Sequence, residues 1–428
     1  MRILIVSDSP MVPGAYAIQT KMLAAWLKEN GHEVLIFGTT YYGARFEYDG
    51  VPVVGGAVHQ DLFGDGMINY YAVQHGADFI LTMKDPYVYS GNTLRGLCRP
   101  WIPVVPLDTE PMNIATKYQL AFATLPIAVT RGGQQMMKDE GIRALYAPHA
   151  IDTEFWTPGD KAAARAELQI PQHGFIAAFI GQNNSNPSRK SLDQIVLSWH
   201  VFHEQHPDSL LFLHTSLSAK YGGINLEGMI KAIRLPENSF RATKQTDYDT
   251  GNIPAEHLRT IYRAADVLIN PAMGGGFELC GVEAQACGTP VITSNFTGMR
   301  ETVGVGWKIV PGTGTGELIW SALGAFRMQP SKKAIIDALT LAYNSRDQAD
   351  TLSDAAHKFA QRYSKATVFD THWKPALAEI EALLKGADLE HGRDTEVGQP
   401  DAARLERPRE DRSDVGRAEP EAPEPVGM

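Results

Sequence analysis

Three consecutive glycines, Gly274-Gly275-Gly276, separate an apolar run ending at Asn270 from a small-residue helical pattern over Leu279 to Cys287. Two carboxylates, Glu278 and Glu283, follow the glycines closely. Glycine backbone delivered to a helix N-terminus presents unpaired N–H groups and the positive end of the helix dipole, which suits an anion. A glutamate further along that helix can accept from hydroxyl groups. The chemistry written into this stretch is therefore a phosphate at the turn and a hydroxyl-bearing group at Glu283. Elsewhere, Arg189-Lys190 closes a polar loop just before a helix. Asp8 and Gly14 lie in the loop after the first strand, and Asp108-Thr-Glu110-Pro111 follows another strand.

The elements that must position these groups alternate strand and helix. Ile3–Val6, Val34–Phe37, Phe79–Leu81, Ile102–Pro106 and Pro126–Val129 read as strands, with helices over Ile18–Asn30 and Gly132–Glu140. A change of texture near Pro148, with His149 and Trp156-Thr-Pro158, marks a crossing into a second alternating segment. There Phe175–Ile180, Leu210–Leu213, Asp266–Asn270 and Val291–Thr293 read as strands. Such alternation predicts an α/β chain with doubly wound parallel sheets, whose ligands sit beyond the carboxyl ends of the strands. Gly304–Gly316 reads as a loop with a short strand, and helices are expected near 317–328, 332–344, 348–363 and 366–384. From Gly386 onward, Pro, Arg, Asp and Glu dominate, and too little apolar surface remains to offset ordering entropy, so a disordered acidic tail is expected over 386–428.

Composition bounds the rest. At 428 residues two domains are the prior, and a net charge of −10 gives no general nucleic-acid footprint. No apolar run is long enough to span a bilayer, and the N-terminus reads as a strand rather than a signal peptide. Three cysteines, Cys98, Cys280 and Cys287, have no metal-ligand spacing and suit a reducing, cytoplasmic setting.

Gly276-Phe-Glu-Leu279, Val282-Glu-Ala284 and Ala286-Cys-Gly-Thr-Pro-Val-Ile292 together resemble the donor-site motif of GT-B glycosyltransferases, with retaining family 4 and its group 1 relatives nearest. Met1–Asp8, Gly31-His-Glu-Val34, Pro148–Phe155, Arg189-Lys190 and the closing Trp373 helix carry the likeness over residues 1 to 385. The resemblance implies two Rossmann-like domains facing across a cleft. Residues 1–150 would take the acceptor, 151–347 the nucleotide sugar, and helices over 348–385 would cross back to the first domain. It implies transfer of a hexose-type sugar from a nucleoside diphosphate to an acceptor hydroxyl with retention, with no cofactor and no bound metal.

Site roles follow residue by residue from the resemblance. Glu283 matches the glutamate that holds the donor ribose. The amides of Gly276, Phe277 and Leu279 are candidates for the β-phosphate, and Gly14 belongs to a loop that approaches the donor. Lys190 matches the lysine that neutralises the diphosphate. Gly181 is followed by Gln182 where relatives carry an arginine, so Arg189 is the candidate for that charge. Glu283 would be the second glutamate of the family's pair; the first should stand at position 275 but is glycine, which leaves Glu278 to hold a sugar hydroxyl or simply to sit favourably at a helix N-terminus. Asp108 either orients the acceptor and supports charge at the anomeric carbon or only shapes a turn. Gln19 and Thr20 also match relatives, with helix-start hydrogen bonding as the plainer role, and His149 is expected to be structural. The two departures, at 182 and 275, leave open a catalytically impaired nucleotide-sugar-binding protein. The acceptor's identity is not written in the sequence.

Overall fold

The computed structural model describes residues 1–391 apart from 40–42, 44, 57–60 and 252, with side-chain detail to residue 386. Met1–Ala382 forms one compact unit built on two sheets. The first sheet contains β1 Arg2–Ser7, β2 Glu33–Gly38, β3 Phe46–Tyr48, β4 Val51–Val54, β5 Phe79–Met83, β6 Trp101–Val105, β7 Ile127–Ala128 and β8 Leu145–Tyr146. Its spatial order is β3-β4-β2-β1-β5-β6-β7-β8, parallel except for the β3–β4 pair. The second contains β9 Phe175–Ile180, β10 Ser209–His214, β11 Phe240–Ala242, β12 Val267–Asn270, β13 Val291–Ser294 and β14 Gly306–Ile309. It is parallel throughout, in the order β11-β10-β9-β12-β13-β14.

Central strands such as β1, β5, β9 and β12 are nearly continuous apolar runs because helices cover both sheet faces. Around the second sheet this produces two cores. Phe175, Trp199, Phe202 and Ile335 pack on one face, and Ile176, Tyr262, Leu268 and Val282 on the other. Each sheet has one point where strand order reverses, β1/β5 in the first and β9/β12 in the second. Open α/β sheets bind ligands at such points, beyond the strand carboxyl ends.

The C-terminal helices return to the first half. Phe369 stacks on Trp26 with ring centroids 5.0 Å apart, His372 meets Tyr146 edge-on, and Glu379 pairs with Arg143. The last described helix, Lys374–His391, runs beyond the expected tail boundary at 386, and the remainder of that expected tail lies outside the described residues.

One expected element is wrong in kind. The helix read over 317–328 is a β-hairpin, β15 Gly316–Trp320 and β16 Phe326–Pro330, paired antiparallel. Ser321 and Gly324 close it, with Gly324 at φ +71° and its N–H donating to the Ser321 carbonyl at 3.0 Å. Leu318, Ile319 and Trp320 are all exposed. β-branched and aromatic residues before a left-handed glycine favour the hairpin.

Candidate active site

The sequence-predicted groups gather at the two strand-order reversals. At the β9/β12 point, the loop after β9 is folded on itself: the Arg189 N–H donates to Ser185 Oγ at 2.9 Å and the Ser191 N–H to the Ser188 carbonyl at 2.8 Å. That fold aims Arg189 and Lys190 at the loop after β12. Arg189 Nη1 donates to the Gly274 carbonyl at 2.8 Å, and the Met273 N–H donates to the Arg189 carbonyl, also at 2.8 Å. Lys190 Nζ lies 2.7 and 2.5 Å from the two oxygens of Glu278, and both side chains are almost buried. Asn270 Nδ2 also donates to Glu278, at 3.3 Å. Burial opposes ionisation of Glu278, but Lys190, Arg189 and these hydrogen bonds outweigh it and leave its carboxyl below the usual range. The sequence treats Lys190 and Glu278 as two separate donor contacts; the structure makes them partners.

The glycines are required by close approach. A Cβ on Gly274 would stand 2.0 Å from the Asp108 carbonyl oxygen, and one on Gly276 would stand 2.4 Å from Pro106. The turn thus packs directly against the end of β6. A Cβ on Gly275 would stand 2.3 Å from Glu278 Oε1, so the Glu278 carboxylate occupies the space into which a side chain at 275 would project. The Gly275 N–H donates to Thr297 Oγ1 at 3.0 Å. The amides of Gly276, Phe277 and Leu279 donate to no described residue, at the mouth of the helix Leu279–Ala286.

Glu283 lies inside that helix with its side chain buried. Its Oε2 accepts from the Tyr262 hydroxyl at 2.9 Å, and burial pushes its carboxyl up to about 7, a shift that the Tyr262 hydrogen bond only partly opposes. Oε1 accepts from no described residue.

From the other sheet, Asp108 lies in the turn after β6 and pairs with Arg327 of β16 at 3.0 Å. Glu110 exchanges backbone hydrogen bonds with Phe326, accepts from the Thr297 N–H at 3.1 Å and pairs with Arg300 at 3.2 Å. The Asp108–Pro111 turn is therefore fastened to both the hairpin and the donor-side loops. At the β1/β5 point, Lys84 pairs with Asp8 at 2.5 Å and lies over the Tyr16 ring. Gly14 caps the first helix in an extended conformation, with open space where a Cβ would go. Gln19 is a connector: its amide both donates to the Ala150 carbonyl and accepts from the Ala150 N–H, at 2.8 and 3.0 Å. Thr20 Oγ1 donates to Ser7 Oγ at 2.8 Å. His149 is buried edge-on against Phe277, 5.1 Å between centroids, and burial lowers its imidazole to about 3, so it is neutral.

Sequence reasoning missed Arg327, hidden in the misread hairpin, and Asp85 with Tyr16 and Tyr87. Asp85 follows β5 as Asp108 follows β6, so its position one step past a parallel strand was the available signal. Among the described residues no three His, Cys, Asp or Glu side chains converge as a metal site, and no helix is long and apolar enough to cross a membrane.

Two facing doubly wound sheets, with both strand-order reversals opening on one cleft and a helical return to the first half, constitute the GT-B fold. Sucrose-phosphate synthase from Thermosynechococcus elongatus shares it at TM-score 0.70 and 19% identity, over 89% of this chain and 99% of that one. HepE of Anabaena, solved with UDP-glucose, shares it at TM-score 0.63 and 15% identity, over 88% of this chain and 100% of that one. Residues 240–322, which hold the glycine turn, Glu278 and Glu283, match the glycosyl transferases group 1 family. A D-inositol 3-phosphate glycosyltransferase of Mycolicibacterium vanbaalenii is 25% identical over 362 residues, 79% of this chain and 76% of the relative. The chain has the GT-B fold, and its sequence likeness is to glycosyltransferases of group 1.

Proposed function

We propose that this glycosyltransferase moves a hexose-type sugar from a nucleoside-diphosphate donor to an acceptor hydroxyl with retention of anomeric configuration. The observation that carries this reading is the gathering of Arg189, on the Gly274 carbonyl, and Lys190, on the Glu278 carboxylate, at the turn whose Gly276, Phe277 and Leu279 amides are unpaired. Two cations and a helix N-terminus make a diphosphate seat that needs no metal ion. Glu283 would accept the ribose hydroxyls through Oε1 while Tyr262 holds Oε2. As the diphosphate draws Lys190 toward itself, Glu278 would become available to a sugar hydroxyl. The bond from the anomeric carbon to the phosphate oxygen breaks as the bond to the acceptor oxygen forms on the same face. The acceptor proton passes to the departing diphosphate, so no side-chain nucleophile is required. Asp108, held by Arg327, would stand on the acceptor side of the reacting carbon.

HepE was solved with UDP-glucose, which favours a uridine diphosphate donor, and the group 1 relative named above is called an inositol-phosphate enzyme, which favours a polyol acceptor. Incubation with UDP-, GDP-, ADP- and TDP-glucose, with and without EDTA, should release nucleoside diphosphate from one donor preferentially and without loss to the chelator. Proton NMR of the product should show the donor's anomeric configuration. An inverted product, or abolition by EDTA that added metal restores, would refute the mechanism.

A further inference from the structure

Three carboxylates at the strand-order reversals are matched by cations: Asp8 by Lys84 at 2.5 Å, Asp108 by Arg327 at 3.0 Å and Glu278 by Lys190 at 2.5 Å. Asp85 is different. It stands one residue beyond Lys84, just past the carboxyl end of β5 at the strand-order reversal, and among the described residues it has no ion pair within 4.0 Å. Its neighbours are two phenols, Tyr16 from the start of the first helix and Tyr87 from the turn Pro86–Val88. The fields of Asp108 from β6 and Arg189 from the donor-side loop both reach it, so it faces the junction of the two sheets. It is partly buried. Burial and Asp108 push its carboxyl up to about 6, against the opposing influence of Tyr16, Arg189 and Lys84.

A carboxylate flanked by phenols and lacking a cation offers acceptor lone pairs to hydroxyl groups. Tyrosine rings add the flat, partly apolar walls on which sugar-like rings pack. The same position is hostile to a phosphate, because the unpaired Asp85 carboxylate would face it across a poorly screened cleft. We infer that Asp85 is the acceptor anchor of this site, taking a hydroxyl pair of a neutral polyol or sugar and disfavouring a phosphorylated group at that position. This rests on the proposed sugar transfer and adds the acceptor class to it. It also separates this chain from relatives named for an inositol phosphate.

The test pairs acceptors that differ only in phosphate: myo-inositol with D-inositol 3-phosphate, and glucose with glucose 6-phosphate. The donor is the nucleoside-diphosphate glucose that the protein hydrolyses fastest. The wild type should use the neutral member of a pair at least tenfold better in kcat/KM. Asp85→Asn should raise KM for the neutral acceptor about tenfold and narrow or reverse the discrimination, with UDP affinity within twofold of wild type. A purely structural role would instead lower melting temperature and UDP affinity together. Asp85→Ala, measured alongside, guards against a poorly folded amide variant. Preference of the wild type for the phosphorylated members, no transfer to any neutral member by a preparation that hydrolyses donor, or unchanged acceptor KM in both variants would overturn the inference. Failure to bind or hydrolyse any of the four donors would instead bring down the sugar-transfer reading itself.

Discussion

Replacing Glu278 by glutamine should make the protein bind nucleoside diphosphate more tightly while it transfers sugar more slowly. In the free enzyme both Glu278 oxygens hold Lys190 Nζ, at 2.7 and 2.5 Å, with the two side chains only 8% and 13% exposed. A diphosphate arriving at the turn must compete with that carboxylate for the ammonium group. The amide variant keeps the shape and offers one neutral acceptor, and a charge-assisted hydrogen bond is about twice as strong as a neutral one. Releasing Lys190 from that competition should be worth about 1–2 kcal/mol to UDP, roughly a tenfold fall in Kd. The same change leaves an uncompensated cation in a buried site, so the unliganded variant should lose about 2–4 kcal/mol of stability, somewhat below the cost of fully breaking a buried pair. UDP should then produce a larger thermal shift in the variant than in the wild type, because it supplies the missing anion. Calorimetry of UDP binding and melting with and without UDP read both effects. Because Glu278 is held below its usual range, its contribution is present above about pH 4.5 and fades only as pH falls through that lowered value, so the assay belongs near pH 7. Equal or weaker UDP binding by a folded variant would show that Lys190 does not meet the diphosphate.

The other expectations follow from the same contacts. Gly275→Ala places a methyl group 2.3 Å from Glu278 Oε1, so it should break the Lys190 pair, lower the melting temperature by several degrees and cut transfer about tenfold or more; an unchanged melting temperature would mean that the carboxylate relocates freely. Glu283→Gln removes a carboxyl raised to about 7 by burial. Such a group stabilises the fold fully below about pH 4.5 and loses that contribution as pH rises through 7, so the variant should gain on wild type by roughly 3 kcal/mol between pH 5 and pH 8. Parallel urea titrations at the two pH values check this, and an unchanged stability difference between variant and wild type would contradict the burial argument. Arg327→Met removes the partner of Asp108 and should raise acceptor KM several-fold while leaving UDP affinity unchanged; a matching loss of UDP affinity would place the hairpin on the donor side instead.

Much of this architecture was legible because its signals are local. Apolar strand runs, glycine stops and the helix over Lys332–Asn344 are set by nearest neighbours in the chain. The site was legible only in its parts. Arg189, Lys190, Glu278 and Glu283 each stand out by type and neighbourhood, but the Lys190–Glu278 pair joins positions 88 residues apart and the Asp108–Arg327 pair joins positions 219 apart. No periodicity encodes such pairings. The hairpin was missed for a related reason: Leu318, Ile319 and Trp320 are apolar yet exposed, so β15 lacks the alternation that marks a strand. Asp85 escaped because a strand-terminal aspartate before proline has the same local appearance whether it shapes a turn or faces a cleft.

The glycine at 275 and the glutamate at 278 are best understood as one feature. A side chain at 275 and the present seat of the Glu278 carboxylate exclude each other, since a single Cβ would already overlap Oε1. Loss of a side chain at 275 therefore creates the space that lets the later carboxylate fold back over the turn toward Lys190. The turn then carries its negative charge from the helix N-cap residue rather than from the loop, while the Gly275 N–H and carbonyl are both tied to Thr297 Oγ1 at 3.0 Å. Moving the charge back should be possible in principle. The double variant Gly275→Glu with Glu278→Gly restores one carboxylate to the loop and removes the clash with the other. If the two positions are interchangeable supports for one charge, the double variant should recover transfer to within about tenfold of wild type, where Gly275→Glu alone, with two carboxylates crowding Lys190, should be nearly inactive. Equal inactivity of the single and double variants would mean that the charge must come from the helix mouth, and that Glu278 is not a relocated equivalent of the missing side chain.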